Sequence, residues 1–151
     1  MAIARWAPFA EITPESWDRV LAVNLNSTFH CVQLAPPDMV AARRGRIVTI
    51  ASWAFQMGSP MHAHYIASEG GVVGLTRAVA GEYARHGITV NTIAPHGIDT
   101  PMMRQSLRDL GRSADDFDTS HIPIGRVGTG DRSPPRARSC ARKRRATSRG
   151  S

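Results

Sequence analysis

The chain has 151 residues, 42% of them hydrophobic and 21% charged, with a formal net charge of +7. That length suits one domain, and the charge is confined to one end of it. Residues 1–125 hold 10 Arg against 11 Asp plus Glu, a balance of −1, whereas 126–151 hold 8 Arg and Lys143 against Asp131, a balance of +8. Arg5 and Glu11 interrupt the short apolar stretch at the start, which therefore reads neither as a signal peptide nor as a membrane span.

Thr13-Pro14-Glu15 is a helix start: a capping hydroxyl, a proline at the first helical position and an early acid facing the helix dipole. Trp17, Val20, Leu21, Thr28, Phe29 and Val32 follow at helical spacing, which predicts a helix over 14–33. Pro36 beside Pro37 then ends it, because each proline removes a backbone donor. Arg46 to Ser52 is a short β-branched run and reads as a buried parallel strand. A second helix over 64–85 carries Val72, Val73, Leu75, Thr76, Val79 and Tyr83, and stops at His86-Gly87. Ile88 to Ala94 is a second strand. Helix, strand, helix, strand is the order of a doubly wound parallel α/β sheet. Beyond Gly130, Pro134, Pro135 and an Arg/Ser/Ala mixture lack apolar periodicity, so 130–151 reads as a basic, disordered tail.

Four motifs, in order and spacing, resemble the short-chain dehydrogenase/reductase family from about Ile3 to Thr129. Val23-Asn24-Leu25 resembles its helix asparagine. Arg46-Ile47-Val48-Thr49-Ile50-Ala51-Ser52 resembles its strand ending in the catalytic serine, thirteen residues before Tyr65. Tyr65-Ile66-Ala67-Ser68-Glu69 resembles Tyr-x-x-x-Lys with the charge of the last residue reversed. Val90 to Thr100 resembles the loop that closes over the nicotinamide. The resemblance implies a Rossmann-type fold and hydride transfer between a secondary alcohol or ketone and NAD or NADP. Tyr65 is then the acid/base, Ser52 its hydrogen-bonding companion, and Asn24 the anchor of a relay water. Pro95, Gly97, Ile98 and Thr100 fall at cofactor-binding positions, with His96 inserted where the family usually has glycine.

Glu69 stands where the family's lysine holds the ribose and lowers the tyrosine pKa. An unperturbed tyrosine has a pKa of about 10, and a carboxylate pushes it upward. At ~5 Å and an effective dielectric of ~20, one charge contributes roughly 3 kcal/mol, so negligible dehydrogenase turnover is expected. The family's glycine-rich strand-turn-helix, whose amides hold the pyrophosphate, has no counterpart here. The chain is thus expected to lack the N-terminal nucleotide-binding half and to bind nucleotide weakly or not at all. Codons for Arg145 to Ser151, read one base earlier, can encode Arg-Tyr-Val-Thr-Gly-Gln, which resembles the family's last strand entry; a frameshift is one account of the tail.

Other positions carry two readings each. His62 and His64 flank Tyr65 and are candidates to line a substrate pocket; as a metal pair they lack a third ligand, so no metal is expected. Trp53, Met102 and Met103 are candidates for an apolar substrate site, with core packing as the competing role. Cys31 and Cys140 form no Cys-x-x-Cys, which points to free thiols in a reducing, cytoplasmic setting. Family members commonly dimerise through the helices corresponding to 14–33 and 64–85, so a homo-oligomer, or pairing with a full-length relative as a non-catalytic partner, is the alternative to an enzyme. The Arg142 to Arg145 cluster supports only nonspecific, salt-sensitive nucleic-acid binding.

Overall fold

The computed structural model describes residues 2–130, so the basic segment expected from 130 onward lies, apart from Gly130, outside the described residues. The first helix starts as its sequence dictates: the Ser16 amide donates to Thr13 Oγ1 at 3.2 Å and Pro14 occupies the first turn. Helix α1 (Pro14–Leu21) runs through a π-helical turn (Ala22–Asn26) into α2 (Ser27–Leu34). Periodicity alone gives no sign of that widened turn. The Ser27 and Thr28 hydroxyls donate back to the carbonyls of Val23 and Asn24 at 2.5 and 2.9 Å, which loads the helix carbonyls with side-chain donors where it widens. Pro36 and Pro37 do stop this helix, yet they also open α3 (Pro36–Ala41), where their missing donors fall in a first turn that needs none.

Strands β1 (Gly45–Ile50) and β2 (Ile88–Ile93) pair in parallel, from Gly45 against Ile88 to Ile50 against Ile93. Between them run a short turn of helix, α4 (Ala54–Met57), and the long α5 (Ala63–Tyr83). The buried residues of α5 are His64, Tyr65, Ser68, Glu69, Val72, Val73 and Thr76, a stripe at three- and four-residue steps. Val72 and Val73 pack with Ala51, while Val32, Ile47, Ile88 and Val90 form a neighbouring cluster. Two hydroxyls join strand to helix, Thr49 Oγ1 and Thr76 Oγ1 at 2.8 Å. After a 3-10 turn (Ala84–His86) the chain reverses at Gly87, φ 73°, where a Cβ would stand 2.6 Å from the Arg43 carbonyl oxygen.

The sequence shows two strands; the described residues hold four. β3 (Ile98–Asp99) pairs in parallel with β4 (Gly128–Thr129), and α6 (Pro101–Asp109) lies between them. Two-residue strands leave no period to read. The result is α/β, a partial Rossmann-type arrangement of small parallel sheets. No helix among the described residues is long and apolar enough to cross a membrane.

Candidate active site

β1 and β2 end side by side, and Ser52 follows β1 at that carboxyl edge, the place where open α/β sheets bind ligands. The Ala51 amide still donates to Ile93 O at 2.8 Å; one residue on, Ser52 Oγ accepts from the Ala54 amide at 3.2 Å and starts the α4 turn. Tyr65 and Glu69 lie one turn apart on the buried stripe of α5 and are 8% and 5% exposed. Burial, then the Glu69 charge, raise the Tyr65 pKa, with the Ser52 side chain opposing them. Burial raises Glu69 to about 7, against a smaller lowering from the Ser52 backbone. Ser52, Tyr65 and Glu69 therefore form one electrostatic cluster. Among the described residues no cation pairs with Glu69.

Asn24 reaches the same helix from the π turn. Its Nδ2 donates to Ser68 Oγ at 3.0 Å and to Ile3 O at 2.9 Å, while its Oδ1 accepts from the Ile3 amide at 2.9 Å. Both ends of the carboxamide are thus committed to protein groups. Ser68 in turn donates to Tyr65 O at 2.7 Å. Neither Ser68 nor Ile3 stands out in the sequence, because their part depends on a contact across more than twenty residues.

His62 precedes α5 beside Met61, whose φ of 64° is left-handed. The Ala7 amide donates to Met61 O at 2.9 Å, bringing Trp6 over His62 with ring centroids 3.4 Å apart; His62 and Tyr65 are 5.4 Å apart. Burial, and then His64, lower the His62 pKa to about 4. His64 is fully buried, lowered by burial and then by Arg5, and both its ring nitrogens lack a partner among the described residues. Trp6 Nε1 and His62 Nε2 share that condition. Burial thus disfavours the charged form of both histidines, His62 packs against Tyr65, and Trp6 joins them unannounced by any motif.

Pro95 to Thr100 passes along the same edge. The Trp53 amide donates to Pro95 O at 2.9 Å. At Gly97 an added Cβ would stand 2.7 Å from the Phe117 ring, so any larger residue must push that ring aside. Thr100 Oγ1 accepts from the Met103 amide at 3.2 Å and caps α6. Asp99 is gripped by Arg104 through contacts of 2.6 and 2.7 Å. With Thr100, Pro101 and Arg108 these two line an open cleft of about 420 Å³. Trp53 and Met102 are each 38% exposed, and Met103 is half-buried.

Glu69 is thus an acid without a cationic partner among the described residues, and the Thr100 hydroxyl, accepting from the Met103 amide, keeps its own proton free to donate. What the cluster can do unaided is hold a carbonyl oxygen against two hydroxyls, those of Tyr65 and Ser52.

Known proteins place this arrangement. The chain is 42% identical over 99 residues to a D-beta-hydroxybutyrate dehydrogenase of Rhizobium meliloti, 66% of this chain and 38% of that protein. It is 38% identical over 126 residues to a 3-oxoacyl-[acyl-carrier-protein] reductase of Thermotoga maritima, 83% of this chain and 50% of that one. Among solved structures, a gluconate 5-dehydrogenase of Burkholderia cenocepacia in complex with NADP and tartrate superposes with a TM-score of 0.84 at 31% identity, over 93% of this chain and 55% of that one. The chain thus spans about half the length of the relatives it matches. The short chain dehydrogenase profile matches residues 2–111, and the chain belongs to that family.

Proposed function

We propose that this chain is the catalytic-centre portion of an NAD(P)-dependent oxidoreductase acting by lineage on a secondary alcohol or ketone, in which Glu69 has silenced hydride transfer by the chain alone. The carrying observation is the burial of Tyr65 one helical turn from the buried Glu69, which raises the tyrosine pKa through burial first and the Glu69 charge second. An ordinary tyrosine at pH 7 is ionised to about 0.1%. A raised one offers still less phenolate to take a proton from an alcohol. In the reverse direction it donates poorly, since the phenolate left behind would be buried beside a carboxylate. Ser52 and Asn24 keep the catalytic positions of the family; Pro95, Gly97, Ile98 and Thr100 keep the cofactor loop; Trp53, His62, His64, Met102 and Met103 flank the substrate side. The relatives' names, a hydroxy acid dehydrogenase, an oxoacyl reductase and a gluconate dehydrogenase, all fit secondary alcohol chemistry.

The test compares the protein with Glu69→Lys, following NADPH binding by fluorescence and ketone reduction by absorbance. Wild type is expected to show no turnover and weak binding at best. Turnover by the wild type would sink the reading. An inactive Glu69→Lys protein would show that this charge is not what silences the chain.

A second reading rests on exposed apolar side chains of α2: Leu34 is 80% exposed and Phe29 41%. They favour a protein that pairs through helices 14–33 and 64–85 with another copy or a full-length relative. Copurification with such a relative, lost on Phe29→Asp, distinguishes it.

A further inference from the structure

We infer that His96 is a positioning residue, a clasp that ties the 95–100 loop to helix α4 across the mouth of the site and holds only while its ring is neutral. The inference rests on the proposed reading for the meaning of that loop, and on its own geometry for the clasp.

The loop is held from two sides. On one, Phe117 and Val127 press on Gly97, the Gly128 amide donates to Gly97 O at 2.9 Å, and β3 pairs with β4. On the other, the tie to the α4 turn consists of the Trp53 amide on Pro95 O and of His96 itself. The Gly97 amide donates to His96 Nδ1 at 2.7 Å. An N–H can donate only to a nitrogen that carries a lone pair, so Nδ1 is bare and the ring proton sits on Nε2. Nε2 lies 3.1 Å from Met57 Sδ at the end of α4 and donates to the thioether. The Trp53 ring stands beside, with centroids 6.5 Å apart.

Protonation of Nδ1 sets one N–H against another and removes the Gly97 bond, freeing the loop from its own side chain. The titratable group facing His96 from the 117–127 segment is His121, itself 3.5 Å from the Asp118 carboxylate. Burial first and His121 second lower the His96 pKa, which keeps the clasp closed at neutral pH and opens it on acidification below the ordinary histidine range. Side-chain identity therefore matters at this position, where glycine would leave the Trp53–Pro95 bond as the loop's remaining tie to the α4 turn.

The test is NMR on the intact chain, which needs neither nucleotide nor turnover. The ring nitrogens of His96, the Gly97 amide and the Met57 methyl are followed through a pH titration. One shared transition below the ordinary histidine range, with the proton on Nε2 above it, is expected. Met57→Leu should leave the Gly97 signal in place and alter the His96 Nε2 signal, and His96→Phe should speed Gly97 amide exchange about five-fold, the effect of one net hydrogen bond. A proton on Nδ1 at neutral pH, or Gly97 and Met57 signals that stay flat while His96 titrates, overturns the clasp. Failure to bind NADPH bears on the proposed function alone.

Discussion

Residues 14–93 and residues 95–130 are held together by different physics. In the first region, apolar side chains from α2, β1, α5 and β2 meet in clusters around Ile47, Ile88, Val90, Val72 and Val73, and polar contacts such as Thr49 with Thr76 are buried among them. In the second, the buried side chains are few, with Ser106, Leu107 and Ile122 the clear cases. Order there comes from glycines that let segments touch and from the Thr100 and Ser113 caps, with the exposed Arg104–Asp99 pair adding little. Tyr65 and Glu69 belong to the first kind of region, the loop and cleft to the second. The proposed acid/base cluster is therefore built into the core, while the loop and cleft of the second region can open without unfolding it.

Truncating the core should do most damage. Ile88→Ala, at 2% exposure, is expected to cost about 2–5 kcal/mol in denaturant unfolding, whereas a matching loss from Ile122→Ala would erase the contrast.

Next comes pH. Glu69 is raised to about 7, so its contribution is fully present below its unfolded value of 4.5 and is lost as pH climbs through 7. His62 is lowered to about 4, so its contribution is present above 6.5 and lost as pH falls through 4. Each is worth roughly 3 kcal/mol, and the two slopes oppose each other between those limits. Glu69→Gln should remove one slope and leave stability rising with pH from about 4 to 6.5; an unchanged stability profile would show that the carboxyl is not buried in solution.

A milder effect is expected at Gly97→Ala. The methyl group must displace Phe117, at about 1–3 kcal/mol, and the disturbance should be confined to 95–130, seen as faster amide exchange there with 45–93 unaffected. Smallest of all is Arg104→Ala: the pair with Asp99 is solvent-exposed, so the unfolding midpoint should stay almost where it was.

The same division decides what the sequence discloses. Thr13-Pro14 states a helix start, and the structure uses both residues as read. Thr100-Pro101 carries the same signal and does begin α6, so that helix was open to detection by capping alone. Ser52 and Tyr65 are legible through their spacing, since strand and helix hold both in place. The π turn at Asn24, the Trp6 contact with His62 and the β3–β4 pair are not legible, because each depends on a partner distant in the chain. Gly97 shows the limit from the other side: the glycine is visible, but the Phe117 ring that presses on it is twenty residues on.

The Asn24 carboxamide has a further consequence. By accepting from the Ile3 amide and donating to the Ile3 carbonyl, it acts as a lone peptide unit laid against the chain, a one-residue ladder rung supplied by a helix. Rungs of a ladder fix register, so the rotation of α1 about its axis sets where the entering chain may run. One residue added to α1 would turn Asn24 by about 100° and carry the rung away from Ile3. The helix therefore works as a gauge: its count of residues, and not only its composition, fixes how the first segment enters the fold.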